Sequence, residues 1–235
     1  MYEKWKGVHT RCAFNMIQEL IPLTRPRTLA AALGPTILGA AFSYYAFGAA
    51  QGTGLAILHT VLIFLAVVTA QIVANLWNEY KDFKSGLDAG QKVGNAGSIT
   101  RGVITPELII TMIKVLMFVP IIIGLYLSAT ITWYYIPVGF LCILISFLYS
   151  GGPKPISRTP FGEISSGIAM GFTIVLITGY AWIRELSLAL LIPAIPSTLL
   201  VGSIMLTNNI RDIVMMKAMD VTRCQSCLVV KEHSA

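Results

Sequence analysis

Charge is what this sequence has least of. Only 12% of its 235 residues are Asp, Glu, Lys or Arg, while 55% are hydrophobic. Ordinary soluble domains carry about 25% charged residues. So few charges cannot cover a water-exposed globule, and the mean hydropathy of +0.73 agrees. Cysteine is scarce too, at four. Cys12 and Cys142 are isolated, and Cys224 and Cys227 form a lone C-x-x-C without a second pair. That argues against a disulfide framework or a four-cysteine zinc site. No signal peptide is expected either. Lys4, Lys6 and Arg11 are basic enough, but Asn15, Gln18 and Glu19 interrupt the stretch that follows. Of the three histidines, His9 and His233 lie in flanking segments, and His59 has no evident partner.

Long apolar runs are what the sequence has instead. A spanning helix needs about 20 mostly apolar residues. Six stretches qualify: 28–47, 55–77, 108–128, 133–149, 161–183 and 186–207. Pro35, Pro120, Pro137, Pro193 and Pro196 fall inside them. Membrane helices tolerate proline where neighbours satisfy the freed backbone. Gly34 and Gly39 suit close helix packing in the first run. The fold class expected is an all-α polytopic transmembrane bundle.

The connections differ in charge. Those after the first, third and fifth runs are short and hold one basic residue, Arg184. Every other Lys or Arg except Lys114, inside the third run, lies in the terminal segments, the second and fourth loops, or their boundaries. The positive-inside rule then puts both termini and the long loops in the cytoplasm. The formal charge of +6 thereby reflects orientation and anionic headgroups, not nucleic acid. Lys114 lies about two turns from its helix end, within reach of the interface by snorkelling. All the acids except Glu185 share the cytoplasmic side. Orientation does not require that, so they call for a second explanation.

The second run leads into Asn75, Asn78, Glu79 and Asp82, spaced i, i+3, i+4, i+7. On a helix these form one polar stripe about 100° wide, and Asp88 follows beyond Gly86. Like charges on one face repel, which a cation between them would relieve. Oxygen donors of this kind suit Mg²⁺, usually held by one or two carboxylates plus substrate phosphates. A solvated helix end balanced by Lys81 and Lys84 is the plainer alternative. The sixth run ends in a second cluster, with Asn208, Arg211 and Asp212 at i, i+3, i+4. Arg25, Arg101, Lys154 and Arg211 supply positive charge on the same side. Arginine can bind phosphate through two parallel bonds, lysine as a point charge.

Together these motifs resemble the UbiA superfamily of intramembrane prenyltransferases. More narrowly they resemble its 1,4-dihydroxy-2-naphthoate polyprenyltransferase (MenA-like) branch. The resemblance runs from Thr24 to Ile213. It rests on Thr24 to Leu29, the stripe Asn75 to Asp82 with Asp88, and the loop Ser98 to Pro106. Tyr149 to Pro153, Thr159 to Glu163, and Asn208 to Ile213 complete it. The resemblance implies transfer of a polyprenyl group from polyprenyl diphosphate to an aromatic acceptor, with Mg²⁺ as cofactor. The setting it implies is a lipid bilayer, the bacterial inner (plasma) membrane. It implies Mg²⁺ at Asn78, Glu79, Asp82 and Asp88, and at Asn208 and Asp212. Arg101, Lys154 and Arg211 would contact the diphosphate. Asn78, Asp82, Asp212 and Tyr149 are the candidate catalytic residues, Tyr149 with an interfacial-belt role as its alternative.

The pattern then departs from the family. Its second motif continues with an acid four residues after Asp212, where this chain has Met216. The family fold has nine spans and six are expected here. Residues 1–213 read as a partial prenyltransferase domain and 214–235 as an unmatched tail, as a truncation or altered reading frame would leave. An inactive member, a different UbiA-type acceptor, or a six-span transporter remain the competing readings. The transporter lacks an inverted repeat.

Overall fold

Each apolar run becomes a helix. A computed structural model of the chain describes residues 20–86, 98–99, 102, 104–152, 155–159 and 161–217, except the side chains of 27, 30, 158 and 211–217. Among these residues there are six long helical segments and no strand. They are α1 (Ala30–Phe47), α2 (Thr53–Ser85), α3 (Pro106–Thr130), α4 (Tyr135–Ser150), α5 (Gly162–Ile183) and α6 (Leu191–Lys217). Four stretches are long and apolar enough to cross a membrane by length and composition: α2, α3, α5 and Leu188–Ile210 within the last segment. The other two are shorter. α4 has 16 residues, about 24 Å at 1.5 Å per residue, because its helix ends at Gly151.

α2 and α6 outrun their apolar stretches. At 33 residues, α2 is about 50 Å long, well beyond the roughly 30 Å hydrocarbon core. Its last three turns carry the first acidic stripe as helix. It stops at Gly86, whose φ of 74° is left-handed and whose N–H reaches the carbonyls of Asp82 and Phe83. α6 continues as helix to Lys217, so the second cluster also sits on an extension of its span.

α5 contains a π-helical segment, Gly167–Phe172, between two α-helical stretches. There the chain packs most closely. A methyl group on Gly171 would meet Thr198 Cα at 2.6 Å, and one on Gly39 of α1 would meet the Val175 carbonyl at 2.8 Å. In lipid, such small-residue contacts and not apolar burial hold helices together. Gly34 does not share this role, since nothing lies within 4 Å of its added methyl position. The outward face is apolar: Tyr45, Phe118, Ile122, Phe140, Ile192 and Leu199 are all well exposed.

The contacts give the directions of the helices. α1 and α5 run in parallel, with Gly39 beside Val175 and Tyr44 against Trp182. α6 runs back along α5, with Leu190 near Gly179, Thr198 near Gly171 and Asn209 bonded to Glu163. The ends of α2 and α6, and with them both acidic clusters, therefore lie at one end of the bundle.

The opposite end is closed by a polar cluster. Arg184 ends α5 with a φ of 60°, an uncommon value for a non-glycine residue. Its guanidinium donates to the Thr130 carbonyl (2.7 Å) and to Gln51 Oε1. Arginine can only donate, so the Gln51 amide nitrogen faces its other partners, the Ala181 carbonyl (2.8 Å) and His59 Nδ1 (2.9 Å). His59 Nδ1 is then the acceptor and the ring proton sits on Nε2. His59 is fully buried. No partner is evident for it in the sequence; in the fold it meets Gln51.

Candidate functional site

The first stripe divides its work by angle. Gln71, Asn75 and Glu79 recur every four residues along α2, and each holds a neighbouring segment. Gln71 donates to the Thr28 carbonyl at 2.6 Å and Asn75 to the Thr24 carbonyl at 2.9 Å. These bonds fasten the turn that leads into α1. Glu79 is 2% exposed, and its Oε1 accepts the Ser98 backbone N–H at 2.8 Å. Asn78 and Asp82, one turn apart, are half-buried.

The loop after the stripe is docked as well as bonded. Ile99 and Ile104 are buried in a cluster with Leu23, Val73, Leu76, Ile109 and Ile113. Gly102 turns the chain between them, with a φ of 71° and its N–H on the Ile99 carbonyl. Arg101 lies outside the described residues, between Ile99 and Gly102 in the sequence. Thr105 then caps α3 through the Leu108 N–H, with Pro106 in the first turn.

The end of α4 meets the same stretch of α2. Trp77 Nε1 donates to the Phe147 carbonyl at 3.0 Å, and the two rings pack edge to face. Gly151 leaves the room this needs: an added methyl would lie 3.0 Å from Trp77 Nε1. Tyr149, half-buried, stands two residues past Phe147. Lys81 lies 5.4 Å from the centre of the Trp77 ring, within cation–π range.

The second cluster carries a bond that the sequence did not suggest. Asn209, 6% exposed, donates through Nδ2 to Glu163 Oε1 at 2.8 Å. Asn208 beside it is half-buried. Arg211 and Asp212 lie on the same helix, but their side chains are not among those described. Asp88 and Lys154 fall outside the described residues. Lys114 is exposed on α3, as snorkelling requires.

Among the described residues, no group of three or more His, Cys, Asp or Glu side chains could hold a metal ion by itself. Magnesium does not need such a group, because it is commonly bound through one or two carboxylates and substrate phosphates. Asn78 and Asp82 offer hard oxygen donors one helical turn apart, so the donor chemistry fits.

Comparison with known proteins settles the family. The model of the UbiA prenyltransferase family matches residues 32–222.

The chain belongs to the UbiA prenyltransferase family.

It is 38% identical over 203 residues to the 1,4-dihydroxy-2-naphthoate octaprenyltransferase of Bacillus subtilis (strain 168). That match covers 85% of this chain and 62% of the relative. It is 31% identical over 190 residues to the protein of that name from Mycobacterium tuberculosis (strain ATCC 25618 / H37Rv), covering 80% of this chain and 62% of the relative. The chain thus spans less than two thirds of the length of these relatives. A solved structure of digeranylgeranylglyceryl phosphate synthase shares the fold, with a TM-score of 0.63 at 18% identity. The match covers 89% of this chain and 68% of that one. With the apolar helices, UbiA membership makes this an integral membrane protein.

Proposed function

We propose that the chain transfers a polyprenyl group from polyprenyl diphosphate to 1,4-dihydroxy-2-naphthoate, with Mg²⁺, as a step in menaquinone biosynthesis. The observation that carries this reading is the pair Asn78 and Asp82, at the same end of the bundle as Asn208. The names of the similar relatives support the substrates. The charge asymmetry of the loops supports a cytoplasmic position for this end, in a bacterial inner membrane.

Asn78 and Asp82 would hold one Mg²⁺, helped by Asp88. Glu79, whose Oε1 accepts the Ser98 N–H, would stand beside them. Asn208 and Asp212 would hold the second. The bound ions would neutralise the diphosphate and stabilise it as a leaving group. Arg101, Lys154 and Arg211 would orient its oxygens while the prenyl tail stays in lipid. The allylic C–O bond breaks, the ring's electrons form the new C–C bond, and the ring carboxylate leaves as CO₂. The Tyr149 ring face would stabilise the allylic cation.

The test is turnover by the full chain in lipid vesicles with Mg²⁺, a polyprenyl diphosphate and the naphthoate. Diphosphate release matched by prenylated product supports the reading. A chain that binds both substrates yet forms no product overturns it. A second reading, a member that binds diphosphate without turnover, is favoured by Met216. That residue sits one turn after Asp212 in the continuous helix α6, where the family has an acid.

A further inference from the structure

Glu163 has no part in the chemistry above, yet it makes the side-chain contact that ties the start of α5 to the second acidic cluster. Its Oε1 accepts from Asn209 Nδ2 at 2.8 Å. Asn209 is buried, and a buried amide is expensive to leave unmatched. The bond closes a tightly packed seam. Further along α5 and α6, Gly167 and Gly171 lie against Thr198, and an added methyl on Gly202 would be 3.5 Å from the Glu163 carbonyl. That packing sets how closely the helices approach, and the Glu163–Asn209 bond adds a directional contact at the end that carries the second cluster.

Rotation matters because of what neighbours Asn209. Successive helical residues are turned by about 100°. With Asn209 aimed at Glu163, Asn208 is turned about 100° to one side and Asp212 about 60° to the same side. The bond therefore bears on the azimuth of both helix positions, 208 and 212. We propose that Glu163 is a positioning residue. Through Asn209 it holds α6 at the rotation that presents Asn208 and Asp212 to the diphosphate and its metal ions. This rests on the site reading above.

Mn²⁺ binding by the full chain in lipid nanodiscs, with a prenyl thiodiphosphate analogue present, tests it. The readout is the electron paramagnetic resonance signal of free Mn²⁺, with a thermal melt of each variant alongside. Loss of a partner that orients metal ligands weakens binding by about ten-fold or more. Glu163→Ala and Asn209→Ala are expected to do so, and Glu163→Ala also to melt lower because it leaves the buried Asn209 amide unmatched, so binding is compared well below each variant's melt. Glu163→Gln keeps an acceptor oxygen and retains near-native binding. Asn209→Asp sets two carboxylates against each other and weakens binding. The pair Glu163→Gln with Asn209→Asp rebuilds the bond with its polarity reversed and recovers affinity.

Native binding in both alanine variants overturns the positioning role and leaves the site reading intact. If the alanine variants do not fold, the swap decides, and a folded double variant no better than Asn209→Asp overturns it. A native chain that binds no Mn²⁺ overturns the site reading and this inference with it.

Discussion

The Glu79 carboxylate and the Ser98 backbone are joined across nineteen residues of sequence, with Oε1 accepting the Ser98 N–H at 2.8 Å. Both partners are buried. The bond fastens the loop that begins at Ser98 to the helix carrying Asn78 and Asp82.

Glu79 can be asked which of its two oxygens matters. Glu79→Ala orphans a buried N–H and is expected to destabilise the chain by about 1–3 kcal/mol, read as a lower melting temperature in detergent. Glu79→Gln keeps an acceptor and should melt near the native temperature. If the carboxylate also serves a metal ion, Glu79→Gln needs more Mg²⁺ for half-maximal activity despite its native-like melt. Equal melts for both variants would show that the bond to Ser98 contributes nothing.

The two glycines of α1 and α5 with opposite surroundings make a matched pair. Gly171→Ala forces a methyl to within 2.6 Å of Thr198 Cα. Overpacking of this kind is expected to destabilise by about 1–3 kcal/mol. Gly34→Ala meets nothing within 4 Å, and the better helix propensity of alanine, up to about 1 kcal/mol, should raise the melting temperature. A Gly171→Ala variant as stable as native protein would mean that α5 and α6 do not approach this closely.

At the other end, Arg184→Ala removes the bonds to Gln51 and Thr130 while keeping the left-handed backbone, which alanine adopts at a strain of about 1 kcal/mol. Arg184→Gly removes the same bonds without that strain. Both variants should melt below native protein, the alanine variant lower. Prenyl transfer measured well below the melt should stay near native, because these bonds lie at the end opposite the acidic clusters. A large loss of turnover in a stably folded Arg184→Gly variant would contradict that separation.

Met216→Asp restores an acid one turn after Asp212. The expected result is a lower Mg²⁺ concentration for half-maximal activity, by several-fold, with the melt unchanged. An unchanged or higher Mg²⁺ requirement would remove position 216 from the site.

The six helices were legible because each is a run of apolar residues, and lipid demands such a run wherever a helix crosses. The stripe at Asn75 to Asp82 was legible because helical spacing is local. What it holds was not. Glu79 finds Ser98 across a loop, Asn209 finds Glu163 46 residues away, and Arg184 finds Gln51 133 residues away. No period in the sequence encodes such pairs. His59 looked partnerless for the same reason, and the Gly34 reading failed because spacing cannot say which side of a helix has a neighbour. The π segment was hidden too, since an apolar helix reads alike with four or five residues in a turn.

That segment makes α5 behave like a shaft with a coupling in it. A π-turn accommodates one residue more than the α-turn it replaces, and one residue is about 100° of azimuth. Deleting a single residue within Gly167–Phe172 would let the helix revert to α geometry throughout. Because the π-turn absorbs the extra residue, both ends would keep their azimuth, Trp182 against α1 and Glu163 toward Asn209. Deleting a residue from the α-helical parts of α5 would instead swing one end by about 100°, so this one segment is where the helix can lose a residue and keep its two ends matched.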